Sequence, residues 1–204
     1  MRKLAILEPL LIFSLIVAYI WKLRFIHPSC WIAILALMLL SHWLRRESPR
    51  ALGFELDSLR NCLNELAPVL ILIALLLLSV GILLRTLRQI SFDAALAALA
   101  AYLPWALVQQ YALDGYFLNR LDAAFSSRAA SSFAALLFFA AHAPNPFLMA
   151  ITLPLGWYAT LLYRRTRNLY LLGIAHAAVG LLLFVMVPDS LSRHLRVGPG
   201  WFRP

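Results

Sequence analysis

The sequence predicts an all-α fold, a polytopic membrane bundle of about seven transmembrane helices. Three observations predict it. Of 204 residues, 63% are hydrophobic and 13% charged, against about 25% charged in a soluble domain, and the mean hydropathy is +0.81. One globular core cannot hide that much apolar surface, so lipid is part of the solvent. Apolar runs of spanning length alternate with short arginine clusters. Alternation suited to a barrel is missing, and backbone polar groups in lipid must be satisfied within their own segment.

The runs read in order as follows. Residues 4–21 form the first, after Arg2 and Lys3. A signal peptide has a similar basic and apolar start, but Glu8-Pro9 interrupts this one and a small-x-small cleavage site is lacking, so it reads as a retained helix. Residues 28–44 follow the basic turn Lys22-Leu23-Arg24. The polar stretch 45–65 carries both signs of charge with Leu52, Phe54, Leu56 and Leu59, and reads as an interfacial amphipathic helix. Residues 67–84 have no charge at all and are closed by Arg85 and Arg88. Residues 92–118 contain Pro104, a kink position. Residues 128–142 end at the turn Pro144-Asn145-Pro146. Residues 147–163 end at Arg164-Arg165, and residues 168–187 stop before Pro188. The tail 188–204 is basic and aromatic, as an interfacial segment is. Three regions result: N-terminal helices with a polar loop (1–91), a core bundle (92–187) and the tail.

The net charge of +9 comes from 16 Arg and 2 Lys against 9 acids. These cations sit between apolar runs, which reads as membrane anchoring and excludes nucleic acid as the expected partner. With seven spans, the side holding the N-terminus collects 11 Lys/Arg and the other side 7, which predicts a cytoplasmic N-terminus. Cys30 and Cys62 form neither a disulfide framework nor a metal motif.

Five polar residues lie deep in these runs: Gln109, Gln110, Asp114, His142 and His176. At about 1.5 Å per residue, they fall at depths of about 9 to 21 Å from one membrane face, within a core of about 30 Å. A polar side chain in hydrocarbon costs free energy, so such a layer reads as a site. Gln110 and Asp114, four apart, would share a helix face and hydrogen-bond. Gln109 points about 100° away. Phe138 and His142 share a face, as do His176 and Gly180. Gly115 permits close helix approach. The plainer reading makes each His and Gln interhelical glue. Glu8, near a span end, reads as structural. His27 and His42 sit at span ends where solvation is easy. Trp31, Trp43, Trp105 and Trp157 read as packing and interface anchors.

These residues resemble the motifs of the CPBP family, the intramembrane peptidases named for CAAX proteases and bacteriocin-processing enzymes. The family's E-E-x-x-x-R appears as Gln109-Gln110-Tyr111-Ala112-Leu113-Asp114. Its F-x-x-x-H is intact from Phe138 to His142, and its H-x-x-x-N appears as His176 to Gly180. The resemblance covers roughly residues 92–187. It implies a prokaryotic plasma-membrane protein whose partners are lipid and a membrane-associated or lipidated peptide substrate. It also implies His142 as the water-activating group and His176 as an oxyanion donor. Gln109 stands where the catalytic Glu belongs, and an amide accepts no proton at neutral pH. Gln110 and Asp114 replace a bracing Glu–Arg pair, and Gly180 replaces an Asn.

Three mechanisms follow. Asp114 acts as base with His142, and His176 polarises the carbonyl. Or Asp114, His142 and His176 hold a divalent transition metal such as zinc, where otherwise no cofactor is expected. Or the site is catalytically inactive and the fold serves as a membrane binding or immunity protein. A small-molecule or ion carrier fits less well, since no inverted repeat occurs.

Overall fold

A computed structural model describes residues 2–203, and helices carry the whole fold. The long helices, in our numbering, are α1 Lys3–Ile26, α2 Cys30–Leu44, α3 Leu59–Leu83, α4 Phe92–Asp122, α5 Ser127–Ala141, α6 Pro146–Thr166 and α7 Leu169–Met186. A short helix, α8 Asp189–Ser192, and two 3₁₀ turns, Arg193–Leu195 and Gly198–Phe202, form the tail.

All seven expected positions are helical, but the expectation of about seven transmembrane helices is corrected. Among the described residues, five helices are long and apolar enough to cross: α1, α3, α4, α6 and α7. Helices α2 and α5 have 15 residues each. That gives about 22 Å, short of a core of about 30 Å. The charge count behind the expected orientation assumed seven crossings and does not carry over. The structure is that of an integral membrane bundle. Exposed Ile71, Leu72, Leu75, Leu76 and Ile82 on α3 are the kind of surface that lipid solvates.

The expected interfacial helix over 45–65 is also different. Residues 45–58 run as turns, and Leu59 starts α3. Leu52 and Gly53 are buried because this loop dives under the start of α7, where Leu169 N–H donates to Gly53 O at 2.8 Å. Gly53 has φ of +89°, and a Cβ there would meet Leu169 Cγ at 3.0 Å, so glycine is required on both counts.

Helix starts are set by side chains with chain-specific positions. Ser91 Oγ accepts from Ala94 N–H at 3.2 Å and opens α4. Asn145 Oδ1 accepts from Leu148 N–H at 3.1 Å and opens α6, with Pro146 as its first residue. Asn168 Oδ1 accepts from Leu171 N–H at 3.0 Å and opens α7. The core packs α4 against α7 and α5 against α6, with α3 also on α7.

One buried ion network pins α1 and α2 to α4. Arg120, 4% exposed, donates to Glu47 through Nη1 at 2.8 Å and Nη2 at 2.9 Å. Its Nε donates to Glu8 at 3.2 Å. Tyr116 Oη donates to the same Glu8 oxygen at 3.0 Å, while Arg45 and Ser41 close on it from α2. His42 pairs with Glu47. Burial pushes the Glu47 carboxyl up, but hydrogen bonds from Arg120 and His42 outweigh it and hold Glu47 below the usual carboxylate range. Glu8 is therefore structural, as its position suggested. His42 is buried, not the easily solvated end-residue expected.

Candidate active site

Helix α4 changes character where the polar residues lie. It is α-helical from Phe92 to Gln110 and π-helical from Tyr111 to Leu118. A π segment bonds i to i+5, so its wider turn rotates the following residues away from α-helical spacing. Gln110 and Asp114 consequently do not pair. Gln110 turns to α7, while Asp114 is fully buried and both its carboxylate oxygens lack a hydrogen-bond partner.

A cavity of about 1020 Å³ is lined by residues of all seven long helices and of the tail. Gln109, Gln110, His142 and His176 all line it, and Asp114 does not. Four of the five expected site residues are thus brought together, and the fifth sits behind the wall. Among the described residues, no three His, Cys, Asp or Glu side chains are grouped so as to hold a metal ion. The donor set does not fit the zinc alternative of Asp114, His142 and His176.

A hydrogen-bond chain organises the polar end. Gln110 Nε2 lies 3.0 Å from His176 Nδ1. His176 Nε2 lies 3.2 Å from Tyr102 Oη, and Gln109 Nε2 donates to the same Oη at 3.3 Å. With the Gln110 amide oriented this way, Nδ1 accepts, so the His176 proton sits on Nε2 and goes to Tyr102. Tyr102 Oη then accepts twice, and its own proton is left for the cavity, which Tyr102 also lines.

His142 is fixed differently. Its Nδ1 lies 2.7 Å from Phe138 O. A carbonyl only accepts, so Nδ1 carries the proton and Nε2 keeps its lone pair. Among the described residues Nε2 has no partner. Phe138 joins the two imidazoles, with ring centroids 4.7 Å from His142 and 5.9 Å from His176.

Glycine at 180 explains where Tyr102 sits. A Cβ on Gly180 would lie 2.8 Å from Tyr102 Cε1, so the ring uses the space a side chain there would need. Gly115 has the contact role expected of it: a Cβ would meet Leu169 Cδ1 and Leu52 O, both at 3.3 Å.

Tyr102 is the site residue that sequence reasoning missed. The signal was available, since residues seven apart on a helix lie on nearly one face, and Tyr102 precedes Gln109 by seven.

No curated protein and no solved structure matches the chain. Residues 91–182 match the family model described as Type II CAAX prenyl endopeptidase Rce1-like. The match begins at the cap of α4 and ends inside α7, so the part of the chain that builds the cavity's polar end is the part similar to this protease family.

Proposed function

We propose that the protein is an intramembrane peptidase that hydrolyses a peptide bond of a membrane-associated or lipidated peptide. The observation that carries this reading is that His142, whose Nε2 has no hydrogen-bond partner among the described residues, lines the same cavity as the Tyr102–His176 pair. His142 Nε2 takes a proton from a water, and the resulting hydroxide attacks the peptide carbonyl carbon. The carbonyl oxygen becomes an oxyanion and accepts the free proton of Tyr102 as a hydrogen bond. His176 acts through Tyr102 by donating Nε2–H to Oη, which makes the hydroxyl a better donor. His142 returns its proton to the leaving amine, the C–N bond breaks, and a carboxylic acid and an amine result. Gln109 and Gln110 hold Tyr102 and His176 in register. Asp114 lies outside the cavity lining, so the reaction is written without it. The core bundle 92–187 carries the chemistry, and the N-terminal helices and tail close the cavity.

Co-expression with a membrane-tethered peptide reporter tests this. Processing by the native protein, lost in both His142→Ala and His176→Ala at unchanged expression, supports it. Normal processing in both variants excludes it.

Gln109 favours a second reading, because its amide supplies no general base. In that reading the chain is a catalytically inactive binding or immunity protein. It predicts that native protein cleaves nothing while a membrane partner co-purifies equally with native and His142→Ala protein.

A further inference from the structure

The far end of the cavity is basic. Arg24, at the last turn of α1, lines the cavity together with His194 and Arg196 of the tail. Its Nη2 donates to Val197 O at 2.8 Å, and its guanidinium stacks 4.7 Å from the Phe25 ring centroid. Its Nε is buried and has no hydrogen-bond partner. Arg203 stacks on the same Phe25 ring at 4.8 Å, which places a second cation beside the first.

Among the described residues, one acidic side chain, Asp189, lines this side. A smaller cavity of about 200 Å³ adjoins the large one, shares His194 and Arg196 with it, and adds Arg193, Arg203 and Asp189 to its walls. Asp189 is already paired with Arg88 at 2.5 Å and with His194 at 2.9 Å. Among the described residues Arg24 has no carboxylate within ion-pair distance. A guanidinium with no carboxylate partner, lining a mostly apolar cavity, is costly unless an anion meets it.

Between this basic end and the polar end at Tyr102, Gln109, Gln110 and the histidines, the lining is mostly apolar. Phe13, Ile16, Ile20, Leu35, Leu70 and Ile73 carry the wall from Arg24 toward the histidines. The volume of about 1020 Å³ reaches the upper end of the range for small-molecule sites, about 300–1,000 Å³. A ligand that satisfies both ends of this description has one anionic head and one long apolar chain.

We propose that the cavity binds a single-chain anionic lipid, with its carboxylate or phosphate head on Arg24 and its hydrocarbon chain along α1 and α3 toward Phe138. The Arg24 guanidinium, which lines the cavity, donates to a head-group oxygen, and the tail segment at Val197 and Gly200 closes over the head. This site stands independently of the peptidase reading, since no hydrolytic group contacts the head.

Titration of the full-length protein in non-ionic detergent, followed by displacement of a fluorescent fatty acid, tests it. Oleate and oleyl phosphate compete at one site per chain. Oleyl alcohol, with the same chain and no charge, competes at least tenfold more weakly. Arg24→Gln removes the difference between oleate and oleyl alcohol, while Arg24→Lys retains most of it, which separates charge from folding. Equal affinity for oleate and oleyl alcohol in native protein overturns the proposal, as does undiminished oleate binding by a monodisperse Arg24→Gln. Displacement by inorganic phosphate alone overturns the role of the chain. Because the readout is binding, an inactive native protein leaves the outcome unaffected.

Discussion

Tyr102 Oη lies 3.2 Å from His176 Nε2, and its ring edge occupies the space beside Gly180 where a Cβ would come within 2.8 Å. The two residues are 74 apart in sequence, yet the missing side chain on one helix turn of α7 is what admits the hydroxyl from α4.

Removing that hydroxyl is the most direct test of its place in the reaction. Tyr102→Phe keeps the ring and loses the donor, so turnover falls on the order of 100-fold while KM changes little. Gly180→Ala serves as its packing control. The added methyl displaces the ring, lowers thermal stability by roughly 1–3 kcal/mol and lowers turnover with it. Combining Gly180→Ala with Tyr102→Leu restores stability and leaves turnover low.

Gln109 offers the converse experiment. A carboxylate at this position can take a proton where an amide cannot. Gln109→Glu therefore raises turnover, by on the order of tenfold or more, given that general base catalysis typically contributes about 10²–10⁴-fold. Unchanged turnover in a folded Gln109→Glu protein would mean that His142 alone suffices as the base.

Arg120 is the stability test. It satisfies two acids from a position only 4% exposed. Arg120→Met leaves Glu8 and Glu47 without their buried cation and lowers unfolding free energy by roughly 3–5 kcal/mol. Adding Glu47→Gln to Arg120→Met recovers part of the loss, measured by thermal unfolding in detergent.

The same network gives a pH dependence. Glu47 is held below its usual range in the folded protein, whereas an unfolded Glu titrates near about 4.3. Its contribution is complete above the unfolded value and is lost as pH falls through the folded one. Melting temperature therefore drops as pH falls below about 5, and the drop is shallower in Glu47→Gln. Equal slopes in native and variant protein would remove Glu47 from the network's energetics.

Much of the fold was legible because hydrophobic runs and their breakers are local properties. All seven helices lie where the apolar runs lie. The number able to cross was overcounted, because 15-residue runs look like spans until their length is compared with hydrocarbon thickness. The depth layer was legible in part, since Gln109, Gln110, His142 and His176 of that layer line one cavity. Asp114 escaped the reading because a π segment changes the residue spacing on a helix face, and nothing in Tyr111–Leu118 announces that change. The Arg120 network was hidden for another reason. Glu8, His42 and Glu47 reach it from three separate stretches of chain, and only tertiary packing brings them together.

Asn145 leaves one more consequence. Its Oδ1 caps α6, and its Nδ2 donates to Ser192 O at 2.9 Å and Arg196 O at 3.0 Å. One amide thus fastens the C-terminal strap to the helix that begins four residues after His142. Lifting the strap to admit a bulky guest breaks two of that amide's bonds and loosens the hinge under the imidazole. Entry by the strap side is therefore coupled to loss of the contacts that tie the tail to the start of α6.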